Sequence, residues 1–518
     1  MENSVKLPPA SLHPKGELIS GENTDNLLPI EVETFDGKVR VEWDPDASVS
    51  PFGQLPFFIQ FLKAGQRFDP WVDECPLTYQ SNNAPDKRDV LGSFLLSILS
   101  GHTRYAHIAS IANDTINTQL LGMKKVVSDD SARRALKKMD EYQGIGWLQE
   151  HLYSCYEPLL TTPWILDVDV TVKPLYGRQE GAVKGYNPHK PGRPCQTYHT
   201  YMMGNLRLVL DVEVLPGDQG SSKHSLPGLM ELLARLPEQS QPRFVRGDCD
   251  WGTDRVMTEL EESNRHYLFK MKKSPNVKEL ISQYHNKRKW LPFKEGWEAK
   301  EASVQLSGWE KKRRVVLMRR QLKKEHDLAL EFPQEGQQQL AFLEAAENIK
   351  AYEYAVLVTN MDDEVISIVQ HYRDRADCEN NFDELKNHWG WGGFTTQKIK
   401  SCRLISRMTA LVYNWWTLFV RLALPDNHRE AITSRPLLLS SVSRMTQSGR
   451  QKTIKITSQH NDHSLQKVVW KRVGDFFNSL KVIAPQLNRV ECWSLILRKA
   501  MEAFFPEKPA QDEKWLPT

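Results

Sequence analysis

Residues 164–173, WILDVDVTVK, alternate apolar and polar side chains, as a strand with one buried face should. CQTYHTYMMG (195–204) and LRLVLDVEVLPG (206–217) continue as two more strands, joined as a hairpin around Gly204-Asn205. SSKHSLPGLMELLARL then predicts a helix, RFVRGD a short strand, TDRVMTELEESN a second helix and HYLFKMK a further strand. Beyond Ser274 this alternation breaks. Residues 275–345 contain strand-like pieces (SVQLSGW, RRVVLMRR) and predict an inserted β-rich subdomain. YEYAVLVTN resumes a core strand, DEVISIVQHYRDRADCENNFDELKNHW predicts one long helix, and RLISRMTALVYNWWTLFVRLAL a strongly apolar one.

The order β-β-β-α-β-α-β, with helices flanking a mixed sheet, is that of an RNase H-like fold, among other α/β folds. Upstream, DVLGSFLLSILS stops at Ser100-Gly101 and TRYAHIASIAND resumes, a spacing that fits a helix-turn-helix. A further helix is expected from Ser128, its N-cap, with Asp129 and Asp130 in the first turn. Its Arg133, Arg134, Lys137 and Lys138 share a face and are DNA-binding candidates. The expected organisation is an acidic, partly disordered segment 1–80, a helical DNA-binding domain 81–155, and an RNase H-like core in two parts, 156–274 and 346–425. The basic β-rich insertion 275–345 separates the two parts, and a helical region 426–518 closes the chain.

Composition narrows the class. With 40% hydrophobic and 26% charged residues, the chain is neither collagen-like nor largely disordered. No apolar run approaches the roughly 20 residues of a membrane span, and the N-terminus reads as neither basic nor apolar enough for a secretory signal. Seven cysteines without a CxxC pair suit a reduced, cytoplasmic setting. The formal net charge of +3 hides an uneven distribution. Residues 1–80 carry 6 basic and 13 acidic side chains, whereas 265–324 carry 18 basic and 5 acidic ones. A basic block interleaved with aromatic rings points to a polyanion, and its run Lys311, Lys312, Arg313, Arg314 is the densest cluster.

Candidate chemistry lies on the strands and the long helix. Asp169 shares the polar face of its strand with Asp167 and Thr171. Asp248 ends RFVRGD where the strand hands over to a loop, with Asp250 two residues on. Tyr372, Arg375, Glu379 and Lys386 are spaced by 3, 4 and 7 residues. On a continuous helix they fall within a stripe about 60° wide over about 21 Å of rise.

Tyr372-x2-Arg375-x3-Glu379-x6-Lys386 resembles the signature of the bacterial YREK, or IS-four-type, insertion-sequence transposases. Asp169 in LDVDVT and Asp248 in VRGDCDW resemble the first two acids of their DDE triad, and YGRQEGAVKGYNPHKPGRPCQ resembles the IS-thirteen-eighty branch. The likeness spans about residues 86–425. It implies an RNase H-like core in which Asp169, Asp248 and Glu379 hold two Mg²⁺ or Mn²⁺ ions and cut and join DNA. Asp167 and Asp250 remain alternatives for the first two acids. Tyr372, Arg375 and Lys386 are then phosphate binders, and Trp290, Trp297 and Trp309 candidates to stack on an extruded base.

The partners implied are transposon-end inverted repeats and target DNA, with a homodimer in the synaptic complex and nucleoid association. Cys249 and Cys378 adjoin two of the acids and are expected to be packing residues, while Cys195 and His199 lack the second pair a zinc site needs. Competing readings are a stand-alone nuclease on the same fold, a catalytically silent transposase-derived DNA-binding protein, and a two-carboxylate glycosidase. The glycosidase would leave the basic block without a role.

Overall fold

The computed structural model describes residues 29–42, 44, 46–188, 190–322, 351–425, 428–457 and 463–504, with only the backbone of 377 and 378. The Cys378 side chain, residues 323–345 of the expected insertion, and the first 28 residues of the acidic N-terminal segment therefore lie outside the described residues. Two compact units result, Met1–Ser48 and Val49–Thr518. In the first, β1 (Ile30–Thr34) and β2 (Gly37–Val41) form an antiparallel hairpin whose ten residues are all exposed.

The second unit begins with β3 (Val49–Ser50) and the helices Leu55–Ala64 and Phe68–Asp73. Phe58, Phe61, Leu62 and Trp71 of these helices are buried in the main core, so the boundary expected at residue 80 moves to 48. Helix Lys87–Leu99 is buried at 11 of its 13 positions and is followed by a 3-10 turn, Tyr105–Ile111. The expected second helix, the one that would enter a DNA groove, is thus a short 3-10 turn, and the helix-turn-helix pair does not form. Helix Asp129–Lys138 forms as expected, with Ser128 accepting from the Ser131 backbone N–H.

The centre is a ten-stranded mixed sheet. Its strands are β4 (Ile165–Pro174), β5 (Val183–Lys184), β6 (Pro194–Met203), β7 (Leu208–Pro216), β8 (Phe244–Gly247), β9 (Tyr267–Lys270), β10 (Leu291–Pro292), β11 (Trp297–Val304), β12 (Arg313–Gln321) and β13 (Tyr352–Thr359). They run in the order β10-β11-β12-β13-β9-β8-β4-β6-β5, with β7 also paired to β6. β4, β8 and β9 are parallel to one another and the remaining pairs antiparallel. Helices Ser222–Arg235 and Asp254–Glu262 make the crossovers into β8 and β9. The expected insertion is no separate subdomain: β11 and β12 pair onward to β13 and extend the central sheet. The basic residues there border a continuous ladder that is buried on both faces, Val315 and Leu317 in one core cluster and Val316 and Met318 in another.

Helix Ile399–Ala423, about 37 Å long, is buried along almost its whole length. Two of its buried polar side chains are matched within the core: Arg407 pairs with Asp211 at 2.7 Å, and Asn414 exchanges hydrogen bonds with the Val209 N–H and C=O of β7. The C-terminal region is not wholly helical, since β14 (Ser443–Ser448) and β15 (Gln451–Ile456) form a hairpin that joins β3. No described helix is long and apolar enough to cross a membrane.

A tight seam joins the N-terminal helices to the turn after helix Ala376–His388. The Phe394 N–H donates to the Thr103 carbonyl at 2.6 Å. A Cβ on Gly393 would sit 2.0 Å from that oxygen, a contact no side chain tolerates. Arg435 caps two helices at once, donating to the Ile98 and His388 carbonyls with its guanidinium 4.1 Å from the Trp389 ring centroid. Gly393→Ala is expected to destabilise the fold by about 1–3 kcal/mol through overpacking, read as a lower urea midpoint. Gly146→Ala, inside helix Glu141–Tyr156 where the space is open, should instead raise the midpoint, by about 0.5–1 kcal/mol of helix propensity.

Candidate active site

The parallel register of β4 and β8 sets the first two acids. Asp167 lies opposite Arg246 and Val168 opposite Gly247, so continuation of the ladder puts Asp169 beside Asp248. Asp167 is fully buried and accepts both arms of Arg246, at 2.5 and 2.6 Å; Arg246 also donates to the His371 carbonyl. Such a fork-to-fork pair satisfies a buried charge, and it occupies Asp167. Asp169, two residues on, is half-buried and stays open to other partners. Gly247 is required before Asp248, because a Cβ there would meet the Trp251 ring at 2.8 Å. Asp248 then accepts the Asp250 N–H at 3.0 Å and turns the chain into helix Asp254–Glu262.

The third element departs from expectation. The long helix is two helices, Val365–Arg373 and Ala376–His388, with Arg375 as N-cap of the second. The Arg375 N–H reaches back three residues to the Tyr372 carbonyl, a tightened turn that changes the rotation between the two halves. The four-residue stripe therefore crosses a joint between two helices. The Arg375 guanidinium is nearly buried. It lies 3.5 Å from Asp169 and in direct contact with Glu379. Glu379 is itself exposed. Tyr372 is half-buried within the electrostatic reach of Arg375, Glu379 and Asp248. Lys386 stands seven residues beyond Glu379, about 10 Å further along the axis.

The carboxylates sense one another. Burial pushes the Asp169 carboxyl up to about 6, with repulsion from Asp248 and Glu379 adding to the shift and Arg375 opposing it. Burial likewise pushes the Tyr372 phenol up to about 12, so it stays a proton donor. Burial works against the Arg375 charge, but Asp169, Tyr372, Asp167 and Glu379 more than restore it. Asp250 is raised by burial and by Asp248. Three hard carboxylate oxygen donors under mutual repulsion suit a divalent cation by charge and by donor type. Among the described residues no three His, Cys, Asp or Glu side chains are already gathered as a ligand shell, and Arg375 bridges two of the acids, Asp169 and Glu379.

Beside Asp248 opens a cleft of about 430 Å³ lined by Lys223, Asp250, Arg255, Lys272 and Trp309, among others. Of the three tryptophan candidates, Trp309 reaches this cleft. Trp290 lies beneath Arg319 at 4.0 Å, and Trp297 is buried between Arg320 and Arg373. Sequence pattern did not single out Lys223 and Arg255, which stand alone in the chain, or Lys272, one of many cations of the basic block 265–324.

Several predicted cations are committed elsewhere. Arg313 is buried between Asp254 and Glu261, which corrects its reading as a DNA contact; Arg314 pairs with Glu301 at 2.9 Å and Lys311 with Glu261 at 2.6 Å. Lys312 is exposed. On helix Asp129–Lys138, Arg133 and Arg134 pair with Asp129 and Asp130 of their own first turn. Lys137 is exposed, and Lys138 lies over the Tyr79 ring at 5.1 Å. Cys195 packs toward the Val183 and Gly217 carbonyls, His199 contacts Ser225 and Thr197, and Cys249 is half-buried on the cleft wall.

A family model described as "Transposase DDE domain group 1" matches residues 79–475. No curated protein matches significantly. Among solved structures, the piggyBac transposase synaptic complex with hairpin DNA, determined by cryo-EM, is similar at 10% identity and a TM-score of 0.36, over 90% of this chain and 87% of that one.

The two neighbouring acids should separate cleanly in a stability measurement. Asp167→Asn strands the Arg246 charge in the core and is expected to lower unfolding free energy by about 3–5 kcal/mol. Asp169→Asn removes a carboxyl whose folded pKa is raised, so its stabilising effect should appear above about pH 6 and fade as pH falls toward 4. Urea titrations at both ends of that window, in metal-free buffer, check both signs.

Proposed function

The chain belongs to the transposase DDE domain group 1 family, and from that membership we propose that it is the transposase of an insertion sequence, of the YREK group and the IS-thirteen-eighty branch. It would bind terminal inverted repeats as a homodimer, cut at the transposon ends and join them to target DNA. The observation that carries this reading is that Arg375 bridges Asp169 and Glu379, while the β4–β8 register carries Asp248 alongside Asp169. The strand order β7-β6-β4-β8-β9, with its three parallel members, supports an RNase H-like core.

In this reading Asp169, Asp248 and Glu379 hold two Mg²⁺ or Mn²⁺ ions, which when bound supply Lewis acidity and an activated nucleophile for in-line displacement at phosphorus. The protein's own groups position the substrate. Arg375, released from bridging the acids, presents a fork that matches two phosphate oxygens. Tyr372, protonated at neutral pH, donates a hydrogen bond to the backbone. Lys386 adds charge further along the strand. Trp309 offers its ring to a base drawn into the cleft, with Lys223 and Lys272 beside it for the adjoining phosphates. The freed 3′-hydroxyl, held by the same groups, then takes water's place as nucleophile in strand transfer.

Purified protein and a plasmid carrying the element's own ends test this with Mg²⁺ or Mn²⁺. Asp169→Ala, Asp248→Ala and Glu379→Ala should each keep end binding and lose cleavage by at least about a hundredfold. Undiminished cutting by any one variant removes that residue from the triad, and binding without cutting by the wild type favours a silent DNA-binding protein. Lys386→Ala should reduce the salt slope of binding by about 1.

A further inference from the structure

We propose that residues 175–193 form a second DNA contact, an arm of tyrosine rings and cations that holds an unpaired strand beyond the carboxylates. The proposal rests on the DNA reading above, and places new residues in it. The segment leaves β4 at its C-terminal end, five residues after Asp169, which is about 17 Å of extended chain or about five base-pair steps. It carries Arg178, Lys184, Lys190 and Arg193 against one acid, Glu180.

That acid is committed to anchoring. The Glu180 carboxylate accepts the Ile399 N–H at 3.2 Å, its own N–H donates to the Gln397 carbonyl at 2.9 Å, and its carbonyl accepts from Gln196 at 2.8 Å. Leu175 is buried and its N–H donates to the Pro194 carbonyl. Gly181, at φ +75°, lies so close to Ile399 that a Cβ would sit 2.7 Å from its methyl. The arm is thus pinned to the start of helix Ile399–Ala423, and much of the ordering cost of binding is already met by the fold.

Its outer surface is what a nucleic-acid strand requires. Tyr176 and Tyr186 are 66% and 77% exposed. Lys190 and Arg193 stand 4.9 and 4.8 Å from the Tyr176 ring centroid, and Lys190 donates to its phenol oxygen. A rigid ring ringed by cations accepts a base on its face and phosphates at its edge. Exposed ring faces stack on unstacked bases and not on the closed edge of a duplex, so the occupant is an unpaired strand. Four cations against one acid that is already committed favour a polyanion as the occupant.

The full chain is tested with two fluorescent probes, a blunt duplex and the same duplex bearing a single-stranded extension. Wild type should prefer the extended probe. Tyr176→Ala with Tyr186→Ala should abolish that preference, a loss of about tenfold or more for the extended probe only. Lys190→Ala with Arg193→Ala should lower the salt slope on the extended probe by about 1.4. Unchanged melting curves establish that each double variant is folded, and Tyr176→Phe should retain the preference. If wild type binds DNA but shows no preference, or the variants bind both probes as it does, the arm has no such role and the transposase reading stands. If wild type binds neither probe, both fall together.

Discussion

A buried ion pair between adjacent parallel strands, Asp167 with Arg246, fixes the geometry on which the candidate site depends. Each partner is nearly inaccessible to water, so neither can be removed or shifted without leaving an uncompensated charge in the core. The pair thereby pins the β4–β8 register. A slip of one residue would turn Asp169 to the opposite face of the sheet and separate it from Asp248. Net stabilisation is not the main service of such a pair; what it provides here is a unique alignment of two strands whose next same-face residues are the two acids.

Arg375 performs the complementary task for the third acid. A tightened turn between two helices brings its guanidinium against Asp169 while Glu379, one turn on, touches its other side. Burial raises the Asp169 pKa, and repulsion from Asp248 and Glu379 adds to it. One arginine opposes that shift and ties Asp169 to Glu379. The family membership and this local arrangement point the same way, toward chemistry on a phosphodiester.

Much of the core was legible from pattern alone. The period-two alternation of β4, the β6–β7 hairpin near Gly204 and the crossover helices are local features, and they appear where the sequence puts them. What was not legible is long-range. Asp167 and Asp169 carry the same pattern, and only the distant Arg246 distinguishes a core residue from an open one. Counting charge treated every cation as free, whereas Arg313 and Arg314 are bound to acids contributed by other elements. The break at Arg375 carries neither glycine nor proline to announce it. The joining of β11 and β12 to the central sheet depends on β13, about 30 residues downstream of β12 and invisible to any window of sequence.

The seam at Gly393 and Arg435 bears on how this chain is taken apart in the laboratory. The N-terminal helices bury their apolar faces in the same core as helix Ile399–Ala423, and the Thr103 carbonyl serves the turn that follows the Glu379 helix. Excising the first 155 residues as a free-standing module would expose both sides of that joint. A fragment so made would be a severed half of one folding unit, and its behaviour would say little about how the whole chain engages its target.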